Sequence, residues 1–282
     1  MSIPDLIASY WTIAGDASPL AGNGLSPHSF RDRVEVAARA GFRGIGSSHA
    51  DLVRNVAQYG YAGIKAILDA NDMRYFEIEA LLDWFADGDR RRRSDVVRDE
   101  MLRAAEKVGA YQIKIVGDLY GEWSIAQMAD AYRLLCMQAM SAGTRISLEL
   151  LPFTNIKDLG SGLAVVGDPS IKNGGLLLDI WHINRGRIPY SQVAKLPGQF
   201  VAAIELNDGP QDIVEPLLTE SVERRELCGE GDFDVPAFIT SLAAVGYQGP
   251  FGVEILSPKN RERSLADAAR LTFASTIRQF AS

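Results

Sequence analysis

The order of apolar and polar residues predicts strands and helices that alternate along the whole chain. Eight short segments are apolar or alternate in polarity, and they are rich in the branched and aromatic residues that strands favour. The predicted strands are 6–13, 42–46, 73–78, 111–116, 145–151, 176–178, 200–206 and 251–255. The sixth, a leucine run between glycines, is typical of a strand that is buried on both faces.

Apolar residues spaced three and four apart predict helices between these strands. The first predicted helix has Ser26 as its N-cap and Pro27 at its first position, and it ends at Gly41. The other predicted helices are 51–69, 94–108, 124–142, 155–166, 235–245 and 261–280. The four arginines 90–93 lie among several aspartates, which indicates a solvated loop before the third helix rather than a phosphate site.

Eight strand–helix alternations in 282 residues, without a linker rich in proline and serine, predict an α/β fold. Their number and order match a single (β/α)8 TIM barrel that occupies residues 1–282. Residues 209–232 are predicted to be irregular, and a loop of that length in a compact domain usually has a function. We therefore expect this loop to lie near the active site.

The composition is that of an ordinary globular protein, with a net charge of −7 and a pI near 5.1. An acidic chain is a poor partner for nucleic acid, whose phosphates are bound by Lys and Arg. Cys136 and Cys228 form no CxxC pattern, so we expect neither a disulfide framework nor a cysteine zinc site. The first 15 residues lack the features of a signal peptide, and no apolar run reaches membrane-spanning length. These features predict a cytoplasmic protein without a membrane partner.

Polar residues follow the sixth predicted strand at the point where it ends. They are Asp179, Trp181, His182 and Arg185. In parallel α/β proteins the catalytic groups collect at the carboxyl ends of the strands. A carboxylate followed three residues later by an imidazole can serve a metal ion and its substrate together.

Four acidic residues at the ends of late strands form the strongest chemical signal. They are Glu149, Asp179, Glu205 and Glu254. One such residue alone is usually solvated at the rim, but Glu149 and Glu254 are flanked by apolar residues, where an unpaired carboxylate costs several kcal/mol. A divalent cation makes a cluster of carboxylates tolerable, and oxygen ligands favour Mg²⁺ or Mn²⁺. The sequence therefore predicts one divalent ion at these four residues.

Other candidate residues are open to two interpretations. His49 follows the second predicted strand and could contact a substrate, although a lone histidine is more often a packed or rim residue. Trp11, Phe153 and Trp181 could form an apolar wall for a ring-shaped substrate, but aromatic residues at strand ends are equally often core. Lys114 lies within the fourth predicted strand and points either into the barrel or outward to solvent.

The sequence resembles the xylose isomerase-like TIM barrels, which are grouped as sugar phosphate isomerases and epimerases, over nearly its whole length. The motifs that carry the resemblance are Leu-Glu149-Leu, Leu-Leu-Asp179-Ile-Trp-His182, Arg225-Glu-Leu-Cys-Gly-Glu-Gly231 and Gly246-Tyr-Gln-Gly-Pro-Phe-Gly-Val-Glu254.

In the ketose epimerase branch, the positions that match the four acidic residues bind one divalent metal ion. The resemblance implies that His182 and Arg225 bind substrate and that Glu149 and Glu254 move the substrate proton. A DNA-repair branch of the family binds several zinc ions through many histidines, and this chain has only three histidines.

Two positions depart from the family pattern. The family commonly has His-x-x-Asp at the end of the seventh strand, whereas this chain has Glu205-Leu-Asn-Asp208. Four carboxylates carry more negative charge than one divalent ion cancels, so either one of them is protonated or Glu205 is not a ligand. Cys228 replaces the usual proline in the segment that contains Arg225.

These observations predict a metal-dependent isomerase or epimerase that acts beside the carbonyl of a sugar- or polyol-like substrate through an enediolate. The alternative is a lyase or dehydratase of the same fold that acts on a keto-sugar, an inosose or a sugar conjugate. A second alternative is a non-catalytic binding or partner subunit, which the departure at Glu205 favours. A homo-oligomer is compatible with the sequence.

Overall fold

A computed structural model of the protein describes residues 4–20, 22, 24–121 and 123–281. Its eight parallel strands form a closed barrel in which each strand pairs with its neighbours in sequence and the last strand pairs with the first. The strands are β1 Leu6–Ala8, β2 Gly44–Ser48, β3 Tyr75–Leu81, β4 Gln112–Val116, β5 Arg145–Glu149, β6 Gly174–Asp179, β7 Val201–Leu206 and β8 Phe251–Val253. The predicted (β/α)8 TIM barrel is confirmed.

Helices surround the barrel in the order expected for this fold. They are α1 Phe30–Ala40, α2 His49–Asp69, α3 Gly88–Ala104, α4 Ile125–Ser141, α5 Leu159–Val166, α6 Ile180–Arg185, α7 Tyr190–Val193, α8 Leu217–Glu223, α9 Val235–Val245, α10 Pro258–Arg261 and α11 Leu265–Arg278. Within the described residues, no helix combines the length and the apolar character needed to cross a bilayer.

Several helix and strand boundaries differ from the prediction. The first strand ends at Ala8, and the rest of the predicted segment forms a 3-10 turn. The N-cap of α1 is Ser29, whose side chain accepts a hydrogen bond from the Asp32 N–H, rather than Ser26. Gly41 does end this helix, in a left-handed conformation with φ of 115°.

The interpretation of residues 90–93 as a loop is wrong, because these arginines lie in the first turns of α3. Arg91 pairs with Asp95 at 2.6 Å, and Arg92 pairs with Asp89 three residues earlier. Pairs at this spacing stabilise a helix, and an acidic residue in the first turn interacts favourably with the helix dipole. The same aspartates that indicated a loop therefore support a helix.

Strand residues alternate between the two sides of the barrel wall. On β4, Ile113 and Ile115 belong to the apolar core around the barrel, whereas Lys114 between them contacts side chains of other strands inside the barrel. The pairing of β6 with β7 places Asp179 directly opposite Glu205. Two of the four acidic residues therefore lie side by side as a direct result of strand register.

The segment 209–232 contains a helix, α8, and is therefore less irregular than predicted. Asp208, which is fully buried, anchors this segment by accepting hydrogen bonds from the N–H groups of Gly209, Gly229 and Phe233 at 2.8 to 2.9 Å. A carboxylate that accepts three backbone hydrogen bonds fixes both ends of the segment at one point.

We predict that Asp208→Asn loosens this segment, because the amide keeps one acceptor oxygen and directs N–H groups at backbone donors. The expected loss is about 1–3 kcal/mol in the free energy of unfolding, with faster hydrogen exchange across residues 209–232. Asp212→Asn is the matched control, since the Asp212 carboxylate is 69% exposed. Unchanged exchange in the Asp208 variant would contradict this role.

Candidate functional site

The four predicted acidic residues meet at the carboxyl end of the barrel. Glu149 and Asp179 end β5 and β6, Glu205 lies near the end of β7, and Glu254 directly follows β8. One carboxylate oxygen from each lies within 4.8 Å of the other three, and all four residues are buried. This spacing suits a shared cation, because converging buried carboxylates need positive charge nearby.

Glu205 has one satisfied and one unsatisfied carboxylate oxygen. Its Oε1 accepts hydrogen bonds from Ser9 Oγ at 2.9 Å and from Lys114 Nζ. Its Oε2 is buried and has no hydrogen-bond partner within the described part of the chain. Because an unpaired buried carboxylate oxygen is costly, Oε2 is the atom that a bound cation would satisfy. The glutamate at this position therefore fits a metal site.

Lys114 supplies a positive charge below the four acids. Its Nζ lies 2.9 Å from Glu77 Oε1 and 3.0 Å from Glu79 Oε2, in addition to its contact with Glu205. Burial alone would lower the pKa of Lys114, but these three carboxylates raise it well above its usual value. Burial and the nearby Glu149 raise the pKa of Glu205 to about 8, and the contact with Lys114 opposes this rise.

Arg225 supplies a second positive charge, on the cavity side of the acids. Its Nη1 donates to Asp179 Oδ2 at 2.6 Å and lies 2.8 Å from Glu254 Oε2. Burial would raise the pKa of Asp179, but Arg225 and His182 together lower it. The pKa of Glu254 is raised well above its usual value, first by burial and then by Glu205. A metal ion that binds the same oxygens would compete with Arg225 for them.

His182 lies in the first turn of α6 between a carboxylate and a guanidinium. Its Nε2 is 3.2 Å from Glu149 Oε1 and 3.3 Å from Arg225 Nη2. A proton on Nε2 allows a hydrogen bond to Glu149, whereas an unprotonated Nε2 can accept one from Arg225. This nitrogen can therefore hold or release a proton within the site.

A cavity of about 450 Å³ opens above the acidic cluster. Its floor includes Glu149, His182, Arg225 and Glu254, and Trp11 lines its wall. Phe153 also lines the wall and packs its ring against His182 at 5.9 Å. The replacement of proline by Cys228 does not keep Arg225 out of the site.

Two predicted substrate contacts are absent from the cavity lining. His49 begins α2, where its Nε2 lies 2.6 Å from Glu100 Oε2 on α3. Trp181 is completely buried and packs against the guanidinium groups of Arg185 and Arg225. In this arrangement His49 contacts the next helix and Trp181 packs against Arg225, and contact of either side chain with substrate stays a prediction.

Glu79 was not among the predicted site residues. Its Oε2 binds Lys114, its Oε1 accepts from the Tyr10 N–H at 3.0 Å, and it lines the cavity. The predicted third strand ended at Ile78, one residue too early to include it. Glu77 and Glu79 are two residues apart on β3 and so face the same side, which is the signal that could have identified Glu79.

Comparison with known proteins agrees with this architecture. Residues 34–274 match the family model of the xylose isomerase-like TIM barrel. The chain belongs to this family. Among solved structures, an IOLI protein described with a binding zinc atom has a TM-score of 0.85 at 16% identity, with 98% of each chain covered. A D-psicose 3-epimerase with D-tagatose from Clostridium cellulolyticum H10 has a TM-score of 0.75 at 15% identity, again with 98% of each chain covered.

A curated relative is similar in sequence over part of the chain. The 3-dehydroshikimate dehydratase of Pseudomonas aeruginosa is 28% identical over 144 residues, which are 51% of this chain and 22% of that protein. The Pseudomonas putida protein of the same name matches over 20% of its length. The matched region therefore spans about a fifth of each curated relative.

We predict that Lys114→Met destabilises the fold, because three buried carboxylates lose their shared positive charge. The expected loss is about 3–5 kcal/mol in the free energy of unfolding, measured with urea. Lys107→Met is the control, since the Lys107 side chain is 54% exposed. Addition of Glu205→Gln to Lys114→Met should recover about 1 kcal/mol or more, because the two side chains are in contact. Additive losses would contradict a direct ion pair between them.

Proposed function

We propose that the protein is a divalent-metal-dependent enzyme that removes and returns a proton beside the carbonyl of a sugar- or polyol-like substrate. The observation that carries this proposal is the convergence of four carboxylates under a cavity, with Glu205 Oε2 unsatisfied. The family and its epimerase-like fold neighbours are consistent with such a reaction. The product would be an isomer or an epimer of the substrate.

The residues that would hold the metal ion are Glu149, Asp179, Glu205 and Glu254. An all-oxygen ligand set suits Mn²⁺ or Mg²⁺ better than a metal that prefers nitrogen and sulfur. When bound, a divalent ion polarises a carbonyl group and acidifies the neighbouring C–H. Four carboxylates carry more negative charge than one divalent ion cancels. Lys114 and Arg225 offset the negative charge that remains.

Glu149 and Glu254 are proposed to move the proton, and their position in the acidic cluster and in the cavity lining supports this role. One of them takes the proton from the carbon beside the carbonyl, and an enediolate forms on the substrate. The other returns a proton to the opposite face or to the neighbouring carbon.

His182 and Arg225 are proposed to bind substrate oxygens above the acids. Arg225 is held by Asp179 and by the Ser221 carbonyl, to which its Nε donates at 2.9 Å, so its guanidinium is already oriented. His182 Nε2 is the atom that would give a proton to a substrate oxygen or take one from it. Arg225 would supply an oriented hydrogen-bond donor, and His182 would supply a proton that can move. Together they suit a substrate whose oxygen gains charge during the reaction.

A dehydratase is the alternative that a specific observation favours. The curated relatives with matching sequence are dehydratases, and the same enediolate can lose a β-hydroxyl group instead of regaining a proton. His182 would then protonate the departing oxygen. Glu205 departs from the family pattern, and this departure favoured the alternative of a non-catalytic protein. The pairing of Glu205 with Lys114 gives the departure a physical explanation.

We expect the purified protein to bind about one divalent ion per chain, with Mn²⁺ or Mg²⁺ bound more tightly by this oxygen site than by exposed acids. Asp179→Asn and Glu205→Gln should each lower metal content after dialysis while the circular dichroism spectrum stays unchanged. Glu106→Gln, an exposed glutamate at the opposite end of the barrel, is the matched control. Equal metal content in all four proteins, or none in the wild type, would refute the proposed site.

Exchange of substrate hydrogen with solvent distinguishes an enediolate mechanism from other mechanisms. With a keto-sugar substrate in D₂O, deuterium should enter at the carbon beside the carbonyl, and Glu254→Gln should reduce this entry by about 10²-fold or more. His182→Asn should slow turnover while metal content and melting temperature are retained. Loss of water from the substrate would identify the dehydratase, whereas an isomer or epimer without deuterium at that carbon would exclude the enediolate.

A further inference from the structure

The wall of the cavity above the acidic cluster is built from apolar side chains that come from several loops. Trp11 follows β1, Leu82 follows β3, Leu119 follows β4 and Phe153 follows β5, while Leu218 and Val222 lie on α8. Leu82, Leu119 and Leu218 are 48%, 41% and 39% exposed, although each faces the cavity. Apolar surface that converges in this way from five loops is typical of a binding site for an apolar group.

Positive charge is scarce around the same cavity. Among the described residues that line it, Arg225 is the only lysine or arginine, and its Nη1 is held by Asp179 and Glu254. The other charged lining residues are acidic, including Glu79 and Glu149. A phosphate group on the substrate would therefore meet carboxylates and leucines, where a phosphate site needs cations or free backbone N–H groups.

A neighbouring cavity of about 440 Å³ shares Gly22 and Gly24 with the first one. Its cation, Arg261, donates to Glu223 Oε2 at 2.8 Å and to the Val222 carbonyl at 3.2 Å, and Asp16 lies on the same wall. A substrate that extended from the first cavity into this one would also find its cation engaged by a carboxylate.

We infer that the substrate has two parts, a carbonyl-bearing polyol that lies on the acidic floor and an uncharged apolar group, such as an aromatic ring, that lies against the leucine-rich wall. This inference rests on the proposed function for the position of the polyol, and it excludes phosphorylated sugars as substrates. The cavity volume supports it, since sites of about 300–1,000 Å³ hold drug-sized ligands. The apolar wall residues thus determine which substrates bind, and the residues of the acidic floor determine which reaction follows.

Isothermal titration with three ligands tests this inference in the Mn²⁺-loaded protein. The ligands are D-fructose, D-fructose 6-phosphate and 6-O-benzyl-D-fructose, which share the same ketose. Burial of the benzyl ring should make the benzyl ether bind about tenfold or more tightly than fructose. The phosphate should bind no more tightly than fructose, because the lining repels its charge.

Variants of the wall identify where the ring binds. Leu82→Ala and Leu218→Ala should each reduce the preference for the benzyl ether by about threefold or more, while the affinity for fructose stays the same. Met137→Ala is the matched control, because Met137 is 61% exposed on α4 and lies outside the cavity. A preference that survives both wall variants would overturn the inference.

The outcomes separate this inference from the proposed function. Equal affinity for fructose and its benzyl ether, tighter binding of the phosphate, or no binding of the benzyl ether would each overturn the inference. The same titrations with Asp179→Asn test the metal site: weaker binding of fructose supports it, and unchanged binding counts against it. The ratio between the benzyl ether and fructose is expected to persist in that variant, because the wall does not include Asp179.

Discussion

The ion pairs of Lys114 inside the barrel are the interaction on which the rest of the site depends. The interior of a TIM barrel is usually filled by branched aliphatic side chains, whereas here a lysine is buried among Glu77, Glu79 and Glu205. Burial of so many carboxylates without a counter-charge would cost far more than a typical fold can supply. Because Lys114 and Ser9 bind one oxygen of Glu205, that side chain is held in place while its other oxygen stays unsatisfied. The charged layer around Lys114 therefore stabilises the acidic end of the barrel above it.

A second cation acts on the opposite side of the same acids. Arg225 contacts Asp179 and Glu254 from the cavity side, and the buried ring of Trp181 supports its guanidinium. The acids thus lie between two layers of positive charge, one fixed in the barrel and one on a loop that Asp208 anchors. A metal ion bound to these acids would compete with Arg225 for their oxygens, so its binding would be linked to the position of this loop.

The fold and the acidic cluster were predictable because both depend on short-range patterns. Alternating apolar runs identified the eight strands, and strands that end on the same side of a barrel bring their terminal residues together, as Glu149 and Asp179 show. The direction of Lys114 was not predictable from the sequence, since its apolar neighbours Ile113 and Ile115 are equally compatible with an inward or outward lysine. Only the positions of glutamates on other strands decide it. The contacts of His49 with Glu100 and of Trp181 with Arg225 were not predictable either, because a position near a strand end does not specify on which side of the following helix the side chain lies.

The most direct test of this account is the anomalous difference density of a crystal soaked in Mn²⁺. The account predicts one strong peak within coordination distance of Glu149, Asp179, Glu205 Oε2 and Glu254, at about 2.0–2.6 Å. It also predicts that the Arg225 guanidinium moves away from at least one of its two carboxylates, while Lys114 keeps its contact with Glu205 Oε1. A peak elsewhere, or a peak at this site with Glu205 turned away and bound only to Lys114, would contradict the account.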